Sequence, residues 1–212
     1  MIAVDLQGAI SDERRRLADL LDTLTPGQLN APSLCGDWTV KQVAGHILAA
    51  FTARPGQKLR VAVRSGFRLH RANARLAVEC AERHTAAELA ASLRRHADDV
   101  FSPPVVGLPG QLTDLQVHGQ DIRRPLGLPH GLRLERLRAS LDFLTGGRAP
   151  GFTPRKRPAG LRFEATDLDW AWGSGPVLAG PAEVLMMALT GRTVVLGELD
   201  GPGVAKLRVR LA

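Results

Sequence analysis

Cysteine is scarce: Cys35 and Cys80 are the two in 212 residues. Two thiols without paired spacing exclude a disulfide framework and a cysteine-built zinc site, so both are read as reduced. Tyrosine is absent, and Phe and Trp together number nine, which leaves little stacking surface for single-stranded nucleic acid. No zinc-finger, RRM-like or phosphate-loop pattern occurs, so no nucleic acid is expected as a partner. No stretch approaches the roughly 18 apolar residues of a membrane helix, and MIAVDLQGAISDERRR carries an acid where a signal peptide carries bases. The expectation is a cytoplasmic protein that makes no use of a membrane. A GxSxG nucleophile elbow is missing as well.

What remains is ordinary globular material. Apolar residues make up 44% and charged residues 23%, enough to build a core and stay in water. The net charge of +7 is regional. Residues 54–78 hold seven Lys/Arg and no acid, and residues 123–162 hold ten Lys/Arg and two acids. Within the first segment Arg60, Arg64, Arg68, Arg71 and Arg75 recur at helical spacing and predict one positive helix face. That face reads either as attraction for an anionic partner or as a solvated helix surface.

Apolar periodicity predicts a helix through Leu6, Ile10, Leu17, Leu21 and Leu24, stopped by Thr25-Pro26-Gly27. Thr39 with Gln42 forms a capping box that opens a second helix running to about Arg54. A third is expected from about Lys58 to Ala81, and Thr85 with Glu88 opens a fourth that runs through Val100 to Pro103-Pro104. A short fifth covers Leu112 to Ile122 and ends before Pro125. The stretch GRAPGFTPRKRPAG (147–160) reads as an exposed connection, so a boundary is placed there, between parts 1–146 and 147–212. Beyond it LRFEA and WAW predict strands, Pro181-Ala182-Glu183 opens a helix ending at Gly191, and KLRVRL alternates like a last strand. The fold class is α+β, a helical N-terminal part followed by a small α+β unit.

Asp114 and His118 stand four apart in LTDLQVHGQDIRRPLG, which puts a carboxylate and an imidazole on one helix face. This spacing suits a metal-ligand pair and equally a surface ion pair. His46, in VKQVAGHILAAF, lies one position from the buried stripe, where a histidine either is satisfied by a polar neighbour or faces inward as a ligand. Inward side chains on facing helices build the metal sites of bundles, so His46 can meet Asp114 and His118 across the 68 residues between positions 46 and 114. A His/Asp/His triad suits zinc, iron or nickel and leaves coordination positions open. An open position admits water, a thiol or a substrate oxygen, and a coordinated thiol loses its proton readily. Neither Cys35 nor Cys80 is evidently that thiol, which points to an external one. Asp121 is either an alternative ligand or a hydrogen-bond partner for a ligand imidazole. His70, His84, His96 and His130 lack partners at matching spacing, and Trp170 and Trp172 read as core or pocket wall.

PSLCGDWTVKQVAGHILAA resembles the N-terminal signature of the mycothiol-dependent maleylpyruvate isomerase family, a branch of the DinB-like metalloenzymes. LTDLQVHGQDIRRPLG resembles the second metal motif of that family, and ALTGRTVVLGELDGPGVAKLRVRL its C-terminal extension. The resemblance implies a DinB-like four-helix bundle that binds a divalent metal, commonly zinc, through positions matching His46, Asp114 and His118. It further implies mycothiol, a small thiol of actinobacteria, as cofactor: addition of its thiolate to a cis double bond permits rotation, and elimination gives the trans product. The acidic ligand of the family is usually glutamate, whereas Asp114 is one methylene shorter. A catalytic arginine from the C-terminal region corresponds best to Arg192 in LTGR, with Arg75 as a second candidate from the bundle.

The resulting expectation is a divalent-metal-dependent, mycothiol-dependent isomerase or thiol transferase acting on a small anionic substrate, with Arg192 neutralising carboxylates. The alternative is a non-catalytic bundle that holds an anionic partner on the Arg60–Arg75 face.

Overall fold

A computed structural model describes residues 4–103, 105–147 and 149–212, with Leu69 and His70 described by backbone alone. Pro104, one of two prolines expected to close the fourth predicted helix, and the side chain of His70 lie outside the described residues. The chain is mostly helical with one small sheet, an α+β layout. It packs into two compact units, one of residues 10–101 and 114–130, the other of residues 1–9, 102–113 and 131–212. No described helix is long and apolar enough to cross a membrane.

In the first unit lie most of α1 (Leu6–Thr23), α2 (Pro26–Asn30), α3 (Val40–Thr52), α4 (Pro55–Arg64), α5 (Leu69–Arg83) and α6 (Ala86–Arg95), with the C-terminal half of α7 (Gly107–Arg123). Both predicted capping boxes form: the Thr39 hydroxyl accepts from the Gln42 amide, and the Thr85 hydroxyl from the Glu88 amide. Thr25 and Gln28 make a third, so the expected stop after α1 also starts the one-turn helix α2. α3 buries Val40, Val43, Ala44, Gly45, Ile47 and Leu48. At Gly45 an added Cβ would stand 2.6 Å from the Ala77 carbonyl oxygen and 3.0 Å from the Ala81 nitrogen. The missing side chain therefore lets α3 run against the backbone of α5. Arg14 of α1 is fully buried and donates to the carbonyls of His96, Ala97 and Asp99, each at 2.9 Å, tying α1 to the end of α6.

The helix expected over Lys58–Ala81 is two helices. After Ser65 the backbone turns left-handed at Gly66 (φ 59°) and again at Phe67 (φ 56°), and the Phe67 amide donates to the Ala62 carbonyl at 2.8 Å. This is a left-handed helix termination, and it leaves Arg60 and Arg64 on α4 but Arg71 and Arg75 on α5. The five arginines do not share one helix face. α7 starts at Gly107, earlier than its sequence predicted, because Pro109 falls in the first turn, where a missing amide hydrogen costs nothing.

The second unit contains α8 (Leu134–Thr145), β1 (Arg162–Ala165), β2 (Ala171–Gly173), β3 (Val177–Gly180), α9 (Ala182–Leu189), a 3-10 turn over Thr193–Glu198 and α10 (Gly203–Leu211). The sheet order is β2-β1-β3, with β1 antiparallel to β2 and parallel to β3. α9 is buried along its whole length, as a helix that is apolar on every side except for Glu183 in its first turn requires. Trp170 is buried just before β2 and donates from Nε1 to Asp142 at 2.8 Å, while Trp172 lies opposite Phe163 across the strands. The predicted strand KLRVRL is helical instead. Gly203 and Leu207, four apart, are buried on one face, whereas Val209 is 78% exposed. The alternation of apolar residues thus marks no common face, and Ala, Lys, Leu and Arg all favour helix.

Candidate metal centre

Two segments of the first unit supply the site. α3 carries His46 next to Gly45, in the region of closest approach to α5, and α7 carries Asp114, His118 and Asp121 at offsets of four and three. These offsets place the three side chains along one face of α7. The loop from Ala31 to Thr39 folds over them. Val40 donates to the Ala31 carbonyl at 3.0 Å, and the amide and hydroxyl of Ser33 both donate to the Trp38 carbonyl, at 2.9 and 2.8 Å. Gly36 at φ 58° makes the tight reversal, and the Leu34 amide donates to the Asp121 carbonyl at 3.1 Å, fixing the loop to α7.

The triad expected from sequence comes together. His118 Nε2 lies 3.4 Å from one Asp114 oxygen, and His46 Nε2 lies 3.8 Å from the other. The His46 and His118 ring centroids are 4.8 Å apart in an edge-to-face arrangement. One ligating atom from each residue falls within 4.8 Å of the others. Ligand atoms about a tetrahedral zinc, with bonds of about 2.0–2.1 Å, are roughly 3.3 Å apart, and the two separations from Asp114 stand near that value. Trp38 closes one side, its ring 5.1 Å from His46 and 6.4 Å from His118. His118 is buried, whereas the His46 and Asp114 side chains retain 16% and 28% of their exposure, which keeps the cluster open to solvent on their side.

Asp121 lies behind His118. Its side chain is fully buried and one oxygen lies 2.9 Å from His118 Nδ1. A proton on Nδ1 donated to Asp121 leaves Nε2 turned toward Asp114 and His46, the arrangement by which a carboxylate orients a metal-binding imidazole. Burial opposes charge on Asp114, but His118, with His46 adding to it, outweighs that and holds the carboxyl well below the usual carboxylate range. Burial likewise works against protonated His118, but the Asp114 charge, reinforced by Asp121 and Cys35, raises its pKa well above the ordinary imidazole value. Asp114 and His118 therefore each favour the charged form of the other. The donor set of two imidazoles and one carboxylate fits a borderline divalent metal.

Two neighbours are not placed at the site by sequence, although Cys35 is weighed there as a thiol. Trp38 sits in the quoted WTV motif, but nothing in its spacing shows that the loop would turn its ring onto the histidines. Cys35 Sγ falls within 4.8 Å of ligating atoms of His118 and Asp121, forming a second potential ligand group among the described residues. Cys80 is buried, and burial pushes its thiol pKa up against the opposing effect of Arg83. Three further histidines have structural partners: His84 Nδ1 is 2.9 Å from the Cys80 carbonyl, His96 is 2.6 Å from Asp99, and His130 is 2.8 Å from Gln120. Arg192 belongs to the other compact unit, where its guanidinium donates to the Thr190 carbonyl at 3.0 Å beyond α9.

Comparison with known proteins places these residues in context. Residues 10–123 match the family model of the mycothiol maleylpyruvate isomerase N-terminal domain. No curated protein and no solved structure matches the chain. The matched span is more than half of the 212 residues and includes His46, Asp114, His118 and Asp121, and on that ground the chain belongs to the mycothiol maleylpyruvate isomerase N-terminal domain family.

Proposed function

We propose that this protein is a divalent-metal-dependent enzyme that works with mycothiol, an isomerase or thiol transferase resembling maleylpyruvate isomerase, in the cytoplasm. The observation that carries this reading is the convergence of His46, Asp114 and His118 within the matched family segment. The reading takes the helices around them as a DinB-like four-helix bundle. Zinc is the favoured ion, with iron and nickel as alternatives, and such an ion acidifies a coordinated thiol or water.

The chain supplies the rest. His46 and His118 offer neutral nitrogen donors, and Asp114 offers one negative charge. A divalent ion on this set keeps a net charge of +1, which favours an anionic fourth ligand such as a thiolate or a substrate carboxylate. Asp121 holds His118 in the tautomer whose Nε2 is free to bind. Trp38 shields one side of the cluster from water. Arg192 is assigned the pairing with a substrate carboxylate on the strength of the C-terminal resemblance, with a small thiol and a small anionic molecule as the partners.

Elemental analysis of protein purified without a His-tag or added metal tests the centre. About one divalent ion per chain is expected, with loss in both His46→Ala and His118→Ala. Thiol-dependent turnover then has to vanish in the same variants and on omission of the thiol. Turnover that persists in metal-free His46→Ala refutes the assignment.

A further inference from the structure

We propose that the outward face of α4 is a docking surface for an anionic lipid bilayer. This inference is independent of the metal centre. α4 turns Val61 inward, fully buried, and Ser65 beside it on the same face is also buried. At 3.6 residues per turn, Leu59 and Val63 project from the opposite side, and they are 62% and 57% exposed. Phe67, four residues further along the chain and just past the end of the helix, is 70% exposed. Its backbone is left-handed at φ 56°, a conformation that strains a bulky side chain. Glycine would fill that position without strain, yet the chain carries a large apolar ring there, in water.

Charge identifies the occupant. Segment 54–78 carries seven Lys/Arg and no acid. Arg60 and Arg64 run along one side of the Leu59–Val63 ridge, Arg68 follows Phe67 in the chain, and all three are exposed, Arg60 reaching Glu79 of α5 at 3.0 Å. A second copy of the chain, meeting this face with its own equivalent face, would set arginine against arginine. A soluble polyanion would satisfy the arginines but leave the apolar ridge in water. An anionic bilayer meets both requirements, with lipid phosphates for the neighbouring arginines and the acyl boundary for Leu59, Val63 and Phe67.

Co-sedimentation of the full chain with vesicles tests this. The protein is expected to pellet with phosphatidylcholine vesicles containing phosphatidylglycerol and to stay in solution with phosphatidylcholine alone. Arg64→Glu and Arg68→Glu should each weaken binding at least about fivefold. Phe67→Gly removes the ring while relieving the backbone, so it should fold as well as the parent and still lose binding together with Leu59→Ser. Equal pelleting with both vesicle types, or none with either, overturns the proposal. So does binding that Leu59→Ser with Phe67→Gly leaves unchanged, the behaviour of a general polyanion site that polyglutamate would compete for equally well. Concentration-dependent dimers in sedimentation velocity that this double variant dissolves would assign the face to a second copy instead.

Discussion

His118 serves two carboxylates through its two nitrogens, and that division of labour can be tested. Asp121→Asn keeps the shape of the side chain but removes the charge behind Nδ1, and a fall of about 10–100-fold in zinc affinity is expected by titration against a competing chelator. Proton release is a second readout. In the metal-free protein Asp114 holds His118 protonated above the ordinary imidazole value, whereas a ligand nitrogen has to be neutral. Zinc binding at neutral pH should therefore release about one proton, visible by calorimetry in buffers of different ionisation enthalpy. The same pair sets the pH response of the metal-free fold. Its contribution is present between about pH 4 and 6.5, the unfolded values of Asp and His. It is lost upward as pH passes the raised value of His118 and lost downward as pH falls toward the depressed value of Asp114. Melting temperature of metal-free protein against pH should show both losses, and His118→Gln should flatten the upper one.

Among the elements, α3 is the one whose placement the site depends on. Its start is defined by the Thr39–Gln42 capping box, and its approach to α5 by the absence of a side chain at Gly45. Gly45→Val would drive two branches into the Ala77 carbonyl, for which a destabilisation of about 1–3 kcal/mol is expected by urea titration. Because His46 is the next residue, a shift of α3 should also cost metal, so the zinc content of this variant should drop before the fold is lost. Thr39→Ala removes one half of the cap and should cost about 0.5–2 kcal/mol, with a smaller effect on the metal. Both boxes and both α3 faces were readable from residue order alone, because they depend on neighbours within four positions. The end of α4 was not. Ser65-Gly66 contains no proline, and the periodic pattern on either side continues through it; only the left-handed pair at Gly66 and Phe67 reveals that the arginines divide between two helices.

Over the whole molecule, contacts distant in sequence decide what the local patterns left open. Arg14, a charge that would ordinarily be placed at the surface, is buried with its guanidinium under the Phe51 ring at 4.6 Å and on three carbonyls at the end of α6. Burial lowers its pKa against the opposing pull of Asp99 and Asp98, yet an arginine remains charged. Arg14→Met should leave those carbonyls without their donor and destabilise the protein by about 3 kcal/mol, measured by chemical denaturation. The two compact units are likewise assembled from interleaved stretches, with α7 contributing residues to both.

Sequence by itself determined the helical character of the first hundred residues, the capped starts of α3 and α6, the residue types of a metal centre and the family. These follow from periodicity, from interactions within one helical turn, and from motifs that survive as strings. Tertiary structure alone decided that His46 reaches Asp114 across 68 residues, that Asp121 stands against His118 Nδ1, and that Trp38 lies beside the histidines. It also made a helix of the C-terminal segment, whose alternation resembles a strand. The physical reason is the same in each case: a side chain's partner is set by which backbones approach closely enough, and that depends on packing at positions such as Gly45 and Gly203, where the determining feature is the absence of a side chain.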